Sequence, residues 1–171
     1  MFKLLIKTIL FLLLLSSSID ASSSIKISLI EKITQFIHWP QIKEEFKIGI
    51  YQNKQLKKDM EVFYKNKKIH KGEIKLYDID YFTQNKIDKL NLIYFSQEST
   101  ANIDLILKRI KNKPILIITE FPDDVYQGMH LGIYYKEKRI KFIINQKSLE
   151  KSNLKASYKI LKLAKIVKDK K

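Results

Sequence analysis

Cysteine is absent from this sequence of 171 residues, and glycine and proline are scarce, with four and three residues. Without cysteine the chain has no disulfide framework, thiolate zinc site, cysteine nucleophile or cysteine for lipid attachment. Acidic side chains are also few, 18 against 33 lysines and arginines, so the formal net charge is +15. Since 45% of the residues are hydrophobic, the composition indicates one ordinary globular domain and excludes a disordered or polytopic membrane protein.

The first 21 residues have the pattern of a cleaved secretory signal peptide. Lys3 and Lys7 give a basic start, residues 9–15 form an apolar run, and small residues precede a plausible cut after Ala21. That run is shorter than the ~17–25 residues of a membrane-spanning helix. The alternative interpretations are an uncleaved anchor and a buried core helix. With a cut after Ala21, residues 22–171 would form one exported domain, periplasmic in a two-membrane bacterium and not embedded in the membrane.

Hydrophobic periodicity predicts alternating helices and strands in residues 22–171. Helical spacing begins with Ile25, Leu29, Ile33, Phe36 and Ile37, and Trp39-Pro40 should close this first helix. The other predicted elements are a strand at 46–51, a helix at 56–63, strands at 73–77 and 90–95, a helix from about Ser99 to Ile110, a buried parallel strand at 114–119, a hairpin of 130–135 with 139–145, and a closing helix over 154–167. The fold class predicted is α/β, with a mixed parallel and antiparallel sheet of about five to six strands and helices packed on it.

The sequence contains none of the common catalytic or nucleotide-binding motifs. His38, His70 and His130 stand apart without a metal-ligand spacing, so structural or surface roles are expected for all three. Asp123-Asp124 follows Pro122 and is typical of a solvated turn, although an acid/base or cation-binding pair is the alternative. We expect no catalytic residue, no metal and no cofactor.

The positive charge favours anionic partners in general. Nucleic acid is disfavoured by the export signal and by the spread of the basic residues along the chain. Aromatic residues make up 11% of the sequence. Tyr134 and Tyr135 are adjacent on a predicted strand, so one ring should point inward and the other toward solvent or a partner. A binding protein is therefore expected rather than an enzyme.

Two segments at opposite ends of the domain carry a family resemblance. Residues 36–40, Phe-Ile-His-Trp-Pro, followed by a strand at 46–50, resemble the opening of the YfiR family of exported bacterial proteins. Residues 139–145, a strand that ends in Asn, and residues 154–167 are similar to the far end of that family. The resemblance singles out family-like fold or interaction positions, which are Trp39, Pro40, Gly128, Asn145 and Ser157. The chain departs from many relatives at Glu31-Lys32-Ile33 and in its lack of cysteine.

The resemblance implies a regulatory function without catalysis. YfiR-like proteins are periplasmic repressors, often dimers, that bind the sensor domain of an inner-membrane diguanylate cyclase and keep its cyclic di-GMP output low. The expected partners are therefore a membrane-bound sensor protein, a diguanylate cyclase or another receptor, and a second copy of the chain. A periplasmic module that binds a small anion or cell-wall fragment is the alternative from another class. A hydrolase with a dispersed site is a third.

Overall fold

Short apolar runs become strands, and the segments between them become helices. The computed structural model describes residues 21–42, 44–80, 87–96, 102–137 and 139–167. Six helices and ten strands lie within these residues. In chain order they are α1 (Ala21–Gln35), β1 (Ile37–His38), β2 (Glu45–Tyr51), α2 (Lys54–Phe63), β3 (Lys68–Ile69), β4 (Gly72–Ile79), β5 (Leu92–Phe95), α3 (Ile103–Ile110), β6 (Leu116–Thr119), α4 (Pro122–Tyr126), β7 (Leu131–Lys136), β8 (Arg139–Ile144), α5 (Gln146–Lys151), β9 (Lys155–Ala156), α6 (Tyr158–Leu161) and β10 (Ala164–Ile166).

Eight of the strands form one mixed sheet in the order β10-β8-β7-β6-β5-β2-β4-β3. The five central strands, β4, β2, β5, β6 and β7, run parallel to one another, as expected for apolar runs joined by helices. The hairpin β7–β8 and the short pair β3–β4 are antiparallel, and β10 runs parallel to β8. The predicted α/β fold class with a mixed sheet is confirmed. The sheet has more strands than the five to six expected, because β3 and β10 are edge strands of two and three residues without a strong sequence pattern.

A separate two-stranded sheet joins the beginning of the domain to its end. In this clasp, β1 pairs antiparallel with β9, so that Ile37 lies opposite Ala156 and His38 opposite Lys155. The backbone amide of Ser157 also donates to the carbonyl of Phe36 at 2.8 Å. The clasp therefore holds the end of α1 against the C-terminal segment.

The central strands are buried on both faces of the sheet. In β5, Leu92 and Tyr94 belong to the larger apolar cluster with α1 and α2, whereas Ile93 and Phe95 belong to the smaller cluster under α3. This alternation follows from the two-residue period of a strand. It explains why residues 90–95 and 114–119 contain almost no polar side chain.

The C-terminal segment differs most from the prediction. Instead of one closing helix over residues 154–167, the chain forms β9, the single turn α6 and β10. Two strand pairings, with β1 and with β8, provide backbone hydrogen bonds and burial that a continuous helix could not obtain here. Tertiary pairing therefore overrides the helical spacing of the apolar residues.

Two helix boundaries also differ. The first helix ends at Gln35, before β1, and not at Trp39-Pro40, and its buried positions are Ile27, Ile30 and Ile33. The helix predicted to start near Ser99 begins at Ile103, where the side chain of Asn102 accepts a hydrogen bond from the amide of Leu105. Asn is a favoured residue at this capping position.

The predicted signal peptide and Ser99 lie outside the described residues. The cut after Ala21 therefore stays a prediction. None of the helices in the described ranges has the length and apolar character needed to cross a bilayer.

Candidate functional site

Polar side chains meet at the carboxyl ends of the parallel strands β2, β5 and β6. The strands β4 and β5 lie on opposite sides of β2, so the strand order reverses there, and open α/β sheets usually bind ligands at such a point. Asn53, after β2, donates from Nδ2 to Oγ of Ser96, after β5, at 3.0 Å. Glu120, after β6, completes the row. This edge is therefore the first candidate for a ligand site.

The carboxylate of Glu120 is nearly buried, and both of its oxygens have partners. The hydroxyl of Tyr94 donates to Oε1 at 2.5 Å, and Nζ of Lys26 on α1 donates to Oε2 at 3.1 Å. A buried carboxylate is stable only when it is paired and hydrogen-bonded. The network therefore fastens α1 to the sheet and leaves Glu120 engaged in the fold rather than open to a substrate.

The space beside this network is small. A cavity of about 110 Å³ lies next to Lys26 and Glu120, and its wall includes Gln55 and Asp59, which are joined by a hydrogen bond of 2.9 Å. Ligand pockets usually measure roughly 300–1,000 Å³, whereas a water molecule occupies about 30 Å³. The described part of this edge therefore has room for only a few water molecules and serves as a structural connection between α1 and the sheet.

Trp39 lies at the opposite, amino-terminal edge of the parallel strands. Its Nε1 donates to the carbonyl of Asn91 at 3.3 Å, and its ring contacts the rings of Phe46 and His70 edge-on, with centroids 5.3 Å away in both cases. Pro40 follows at an exposed bend. The indole thus connects the corner after β1 to the start of the central strands, as expected for a packing residue.

An open groove of about 750 Å³ lies beside this corner. Its wall carries both signs of charge, and these charges are largely paired with one another: Lys47 with Glu45 at 3.0 Å, and Lys113 with Asp88. Because lysines and carboxylates neutralise each other here, the groove has no charge surplus that would select an anion or a cation.

Ser157 lies in the clasp, next to β9. Its amide is bonded to the carbonyl of Phe36, while its side-chain oxygen is buried without a hydrogen-bond partner in the described ranges. The structure therefore brings Ser157 into the same region as the end of α1, which precedes the Trp39 corner. Two sequence segments that carried the family resemblance are joined by the clasp.

Gly128 and Asn145 meet at the end of α4. Asn145 donates from Nδ2 to the carbonyl of Val125 at 3.0 Å, and its Oδ1 accepts from the amide of Ser148, which caps α5. The amide of Gly128 points to the same carbonyl at 3.3 Å. Gly128 has φ of +121°, a conformation that other residues rarely adopt. Both positions shape the backbone of the fold.

Replacing Asn145 tests this framework role. We expect Asn145→Ala to lower the free energy of unfolding by about 1–2 kcal/mol, since a helix cap and a side-chain contact are lost together. Asn145→Asp keeps the capping oxygen and should recover part of that loss. Urea unfolding followed by circular dichroism measures both values, and equal stabilities for wild type and Asn145→Ala would contradict the assignment.

The histidines do not form a metal site. His38 is exposed on β1, His70 donates to the carbonyl of Thr34 at 2.8 Å, and His130 is buried. No group of three potential His, Asp or Glu ligands occurs among the described residues.

Asp124 accepts a hydrogen bond from Oγ1 of Thr119 at 3.2 Å, and burial raises the pKa of this carboxyl above its usual range.

Sequence reasoning missed the residues that bind α1 to the sheet. Tyr94, Glu120 and Lys26 meet through contacts between segments 26 and 94 residues apart in sequence. One feature of the sequence could have indicated this network: Ser96 and Glu120 directly follow apolar strands, and the carboxyl ends of parallel strands share one edge.

The prediction that one of the two adjacent tyrosines points inward and the other outward was half correct, because Tyr135 is exposed but Tyr134 is only partly buried.

Comparison with known proteins gives a family and a fold. A model of the YfiR/HmsC-like family matches residues 23–165. Among solved structures, the crystal structure of a conserved domain protein from Vibrio cholerae O1 biovar El Tor is similar, with a TM-score of 0.54 and 13% sequence identity. The match covers 85% of this chain and only 60% of that chain. At this identity the likeness concerns the fold alone. No curated protein matched the sequence.

Proposed function

This chain belongs to the YfiR/HmsC-like family, and on that premise we propose that it is a periplasmic regulator that represses a membrane-bound diguanylate cyclase by binding its external sensor part. The observation that supports the proposal most is the family match over residues 23–165, which spans both ends of the described fold. The resemblance found in the sequence is thereby confirmed at the level of the family.

The chemistry of the described residues agrees with binding without turnover. Glu120, a buried carboxylate at the edge where α/β enzymes often place a catalytic group, is held by Tyr94 and Lys26. His130, a buried imidazole, is bonded to the backbone amide of Ile117 and to Ser152. The Glu120 carboxylate and the His130 imidazole therefore stabilise the fold through these hydrogen bonds. Regulation by binding requires neither group to act as a catalyst.

Repression by a binding protein is a shift of populations. A partner that binds the inactive form of a receptor more tightly than the active form shifts the equilibrium by that difference in affinity and by no more. A shift from mostly active to mostly inactive needs a preference on the order of 10²-fold or greater. The net charge of +15 would speed the encounter with an acidic receptor surface at low salt.

Deleting the gene tests the function. We expect cyclic di-GMP to rise several-fold in the deletion strain, and the full chain supplied in trans to restore the original level. A chain without residues 2–21 keeps nearly all of α1 but lacks the predicted signal, so it should stay in the cytoplasm and fail to restore it. The readout is cyclic di-GMP measured by mass spectrometry in strains with equal protein levels.

Two results would contradict the proposal. Unchanged cyclic di-GMP in the deletion strain would remove the repressor function and favour the small-anion or cell-wall-fragment module. Restoration by the chain without its signal would place the activity in the cytoplasm. A homodimer, as in the relatives, is part of the proposal, and light scattering of the purified domain at two concentrations measures it.

A further inference from the structure

Positive charge is unevenly compensated along the folded chain. Seven ion pairs occur between described residues, and every one of them joins residues between Lys26 and Glu120. Residues 131–167 hold ten lysines and arginines against two glutamates, a surplus of eight out of the chain's fifteen. The C-terminal third of the domain is therefore its main source of unbalanced positive charge.

Part of this charge lies on one face of the sheet. In β7 and β8, Tyr134 is paired with Lys141 and Lys136 with Arg139, and paired residues of neighbouring strands point to the same side. Lys165 of β10 is level with Ile143 and so lies on that side too. We name the set, together with Tyr126 of α4, the basic strand face: Tyr126, Tyr134, Lys136, Arg139, Lys141 and Lys165.

The helices leave this face open. Gly132 and Ile143, on the same side of the sheet, are covered by α4, because a Cβ on Gly132 would lie 2.9 Å from Val125. Beyond that point Lys136, Arg139 and Lys165 are exposed. The chain therefore has a strand surface that is buried at one end and solvated at the other.

Lys165 lies beside Tyr126 and Tyr134 and has no carboxylate partner among the described residues. Its Nζ lies 5.5 Å from the ring centroid of Tyr126, and a hydrogen bond with the hydroxyl of Tyr126 raises the pKa of Lys165. Asp123 on α4 and Glu137 in the turn between β7 and β8 form no ion pair with other described residues. A lysine beside tyrosine hydroxyls offers donors that suit the carboxylate of a partner.

We propose that the basic strand face is the docking surface for an acidic face of the protein that this chain regulates. This docking surface rests on the proposed function, and it adds which residues of the chain contact the regulated protein and by what chemistry. Charge complementarity supports this occupant, since no acidic side chain among the described residues forms an ion pair with the lysines or the arginine of the face. Tyrosine and arginine are also the residue types enriched at protein interfaces.

An anionic membrane surface is the other class of occupant that positive charge could serve. Membrane-binding surfaces combine basic residues with aliphatic or aromatic side chains that insert among the lipids. On the basic strand face the apolar bodies are tyrosine rings that end in hydroxyls, and the aliphatic Ile143 is buried. The face therefore suits a polar protein surface better than a bilayer.

The test compares two charge reversals of equal size. Lys141→Glu with Lys165→Glu changes the basic strand face, and Lys58→Glu with Lys65→Glu changes two exposed lysines on and after α2 that form no described ion pair. Unchanged melting temperatures would show that both variants fold. Because an exposed charge contact changes affinity only modestly, we expect roughly tenfold weaker binding of a labelled Glu-rich peptide by the first variant and less than threefold by the second.

The cellular arm uses cyclic di-GMP in the deletion strain. The variant of the basic strand face should fail to lower it, whereas the Lys58 and Lys65 variant should restore repression. Equal repression by both variants would overturn the docking surface and leave the proposed function standing. If the wild-type chain itself does not lower cyclic di-GMP, the proposed function is contradicted, and the docking surface is then tested by peptide binding alone. Equal peptide binding by both variants would overturn the docking surface. Selective loss of binding to vesicles of phosphatidylglycerol and phosphatidylethanolamine, with peptide binding intact, would also overturn it and point to the membrane.

Discussion

Acidification from pH 6.5 to pH 4 is expected to cost the fold about 3 kcal/mol through His130 alone. This side chain is almost completely buried, and burial lowers its pKa from 6.5 to about 4. Each unit of difference between the folded and unfolded pKa corresponds to about 1.4 kcal/mol. Since typical domains are stable by about 5–15 kcal/mol, one imidazole controls a large share of the total.

The hydrogen bonds of His130 determine which nitrogen of the neutral ring carries the hydrogen. Nδ1 accepts from the backbone amide of Ile117 at 3.1 Å, so the neutral ring carries its hydrogen on Nε2, which donates to Oγ of Ser152 at 3.0 Å. A second proton on Nδ1 would face the amide hydrogen. The unfolded chain therefore binds the proton more readily, and stability is complete above pH 6.5 and decreases until about pH 4.

Urea unfolding at several pH values between 7.5 and 4 measures this effect. His130→Gln should be less stable than wild type at pH 7.5, but it should lose less stability on acidification, so that the two profiles converge. His38→Gln is the matched control, because His38 is exposed, and its profile should follow wild type. Burial raises the pKa of Asp124, which favours the folded state at low pH in both proteins and cancels in the comparison. Parallel profiles for wild type and His130→Gln would contradict the assignment.

Replacing Phe46 with alanine should destabilise the domain by about 3–5 kcal/mol. Phe46 is completely buried in β2, and its ring packs edge-on against the indole of Trp39. Truncation removes the transfer free energy of the ring and leaves a cavity that the parallel strands cannot close by moving. The loss should appear as a lower midpoint of urea unfolding with an unchanged slope.

Trp39 is the sole tryptophan of the chain and reports on this site directly. In Phe46→Ala its fluorescence should shift to longer wavelength in the folded state, because water reaches the indole. Phe46→Leu should cost clearly less than Phe46→Ala, and Val62→Ala, at a half-exposed position on α2, should cost little. Full stability of Phe46→Ala, or an unchanged Trp39 spectrum, would show that the ring does not support the corner.

The sequence predicted the centre of the sheet because local pattern and final environment agree there. The runs at 90–95 and 114–119 are almost entirely apolar and are largely buried on both faces, and the alternating run at 46–51 is buried except at Lys47. The hairpin of β7 and β8 was also correct, since alternating runs separated by a short polar segment have few other ways to pair.

The prediction of secondary structure failed where pairing with a segment distant in sequence determines the conformation. Leu154, Ile160 and Ala164 suggest a helix by spacing, but their segment is divided between β1 and β8, which no local pattern reveals. The candidate site shows the same limit. Asn145 and Gly128 were identified as positions of interest, yet their shared contact with the carbonyl of Val125 depends on the position of α4.

The unbalanced charge of the C-terminal third was visible only in part. Counting residues gives the surplus, but only the folded chain shows that Lys165 lies beside two tyrosines and that the ion pairs between described residues all fall between Lys26 and Glu120. Strand register, set by the β8 and β10 pairing, decides which lysines share a face.

The clasp has a consequence for biogenesis. It pairs segments about 120 residues apart, and the end of α1 is held by β9, which is synthesised long after α1. Contacts between segments so far apart in sequence form slowly, and they cannot form before both segments have left the ribosome. The clasp of a growing polypeptide would therefore stay open until β9 has been synthesised, and a secretion channel for unfolded chains requires such an open state of the proteins that it transports.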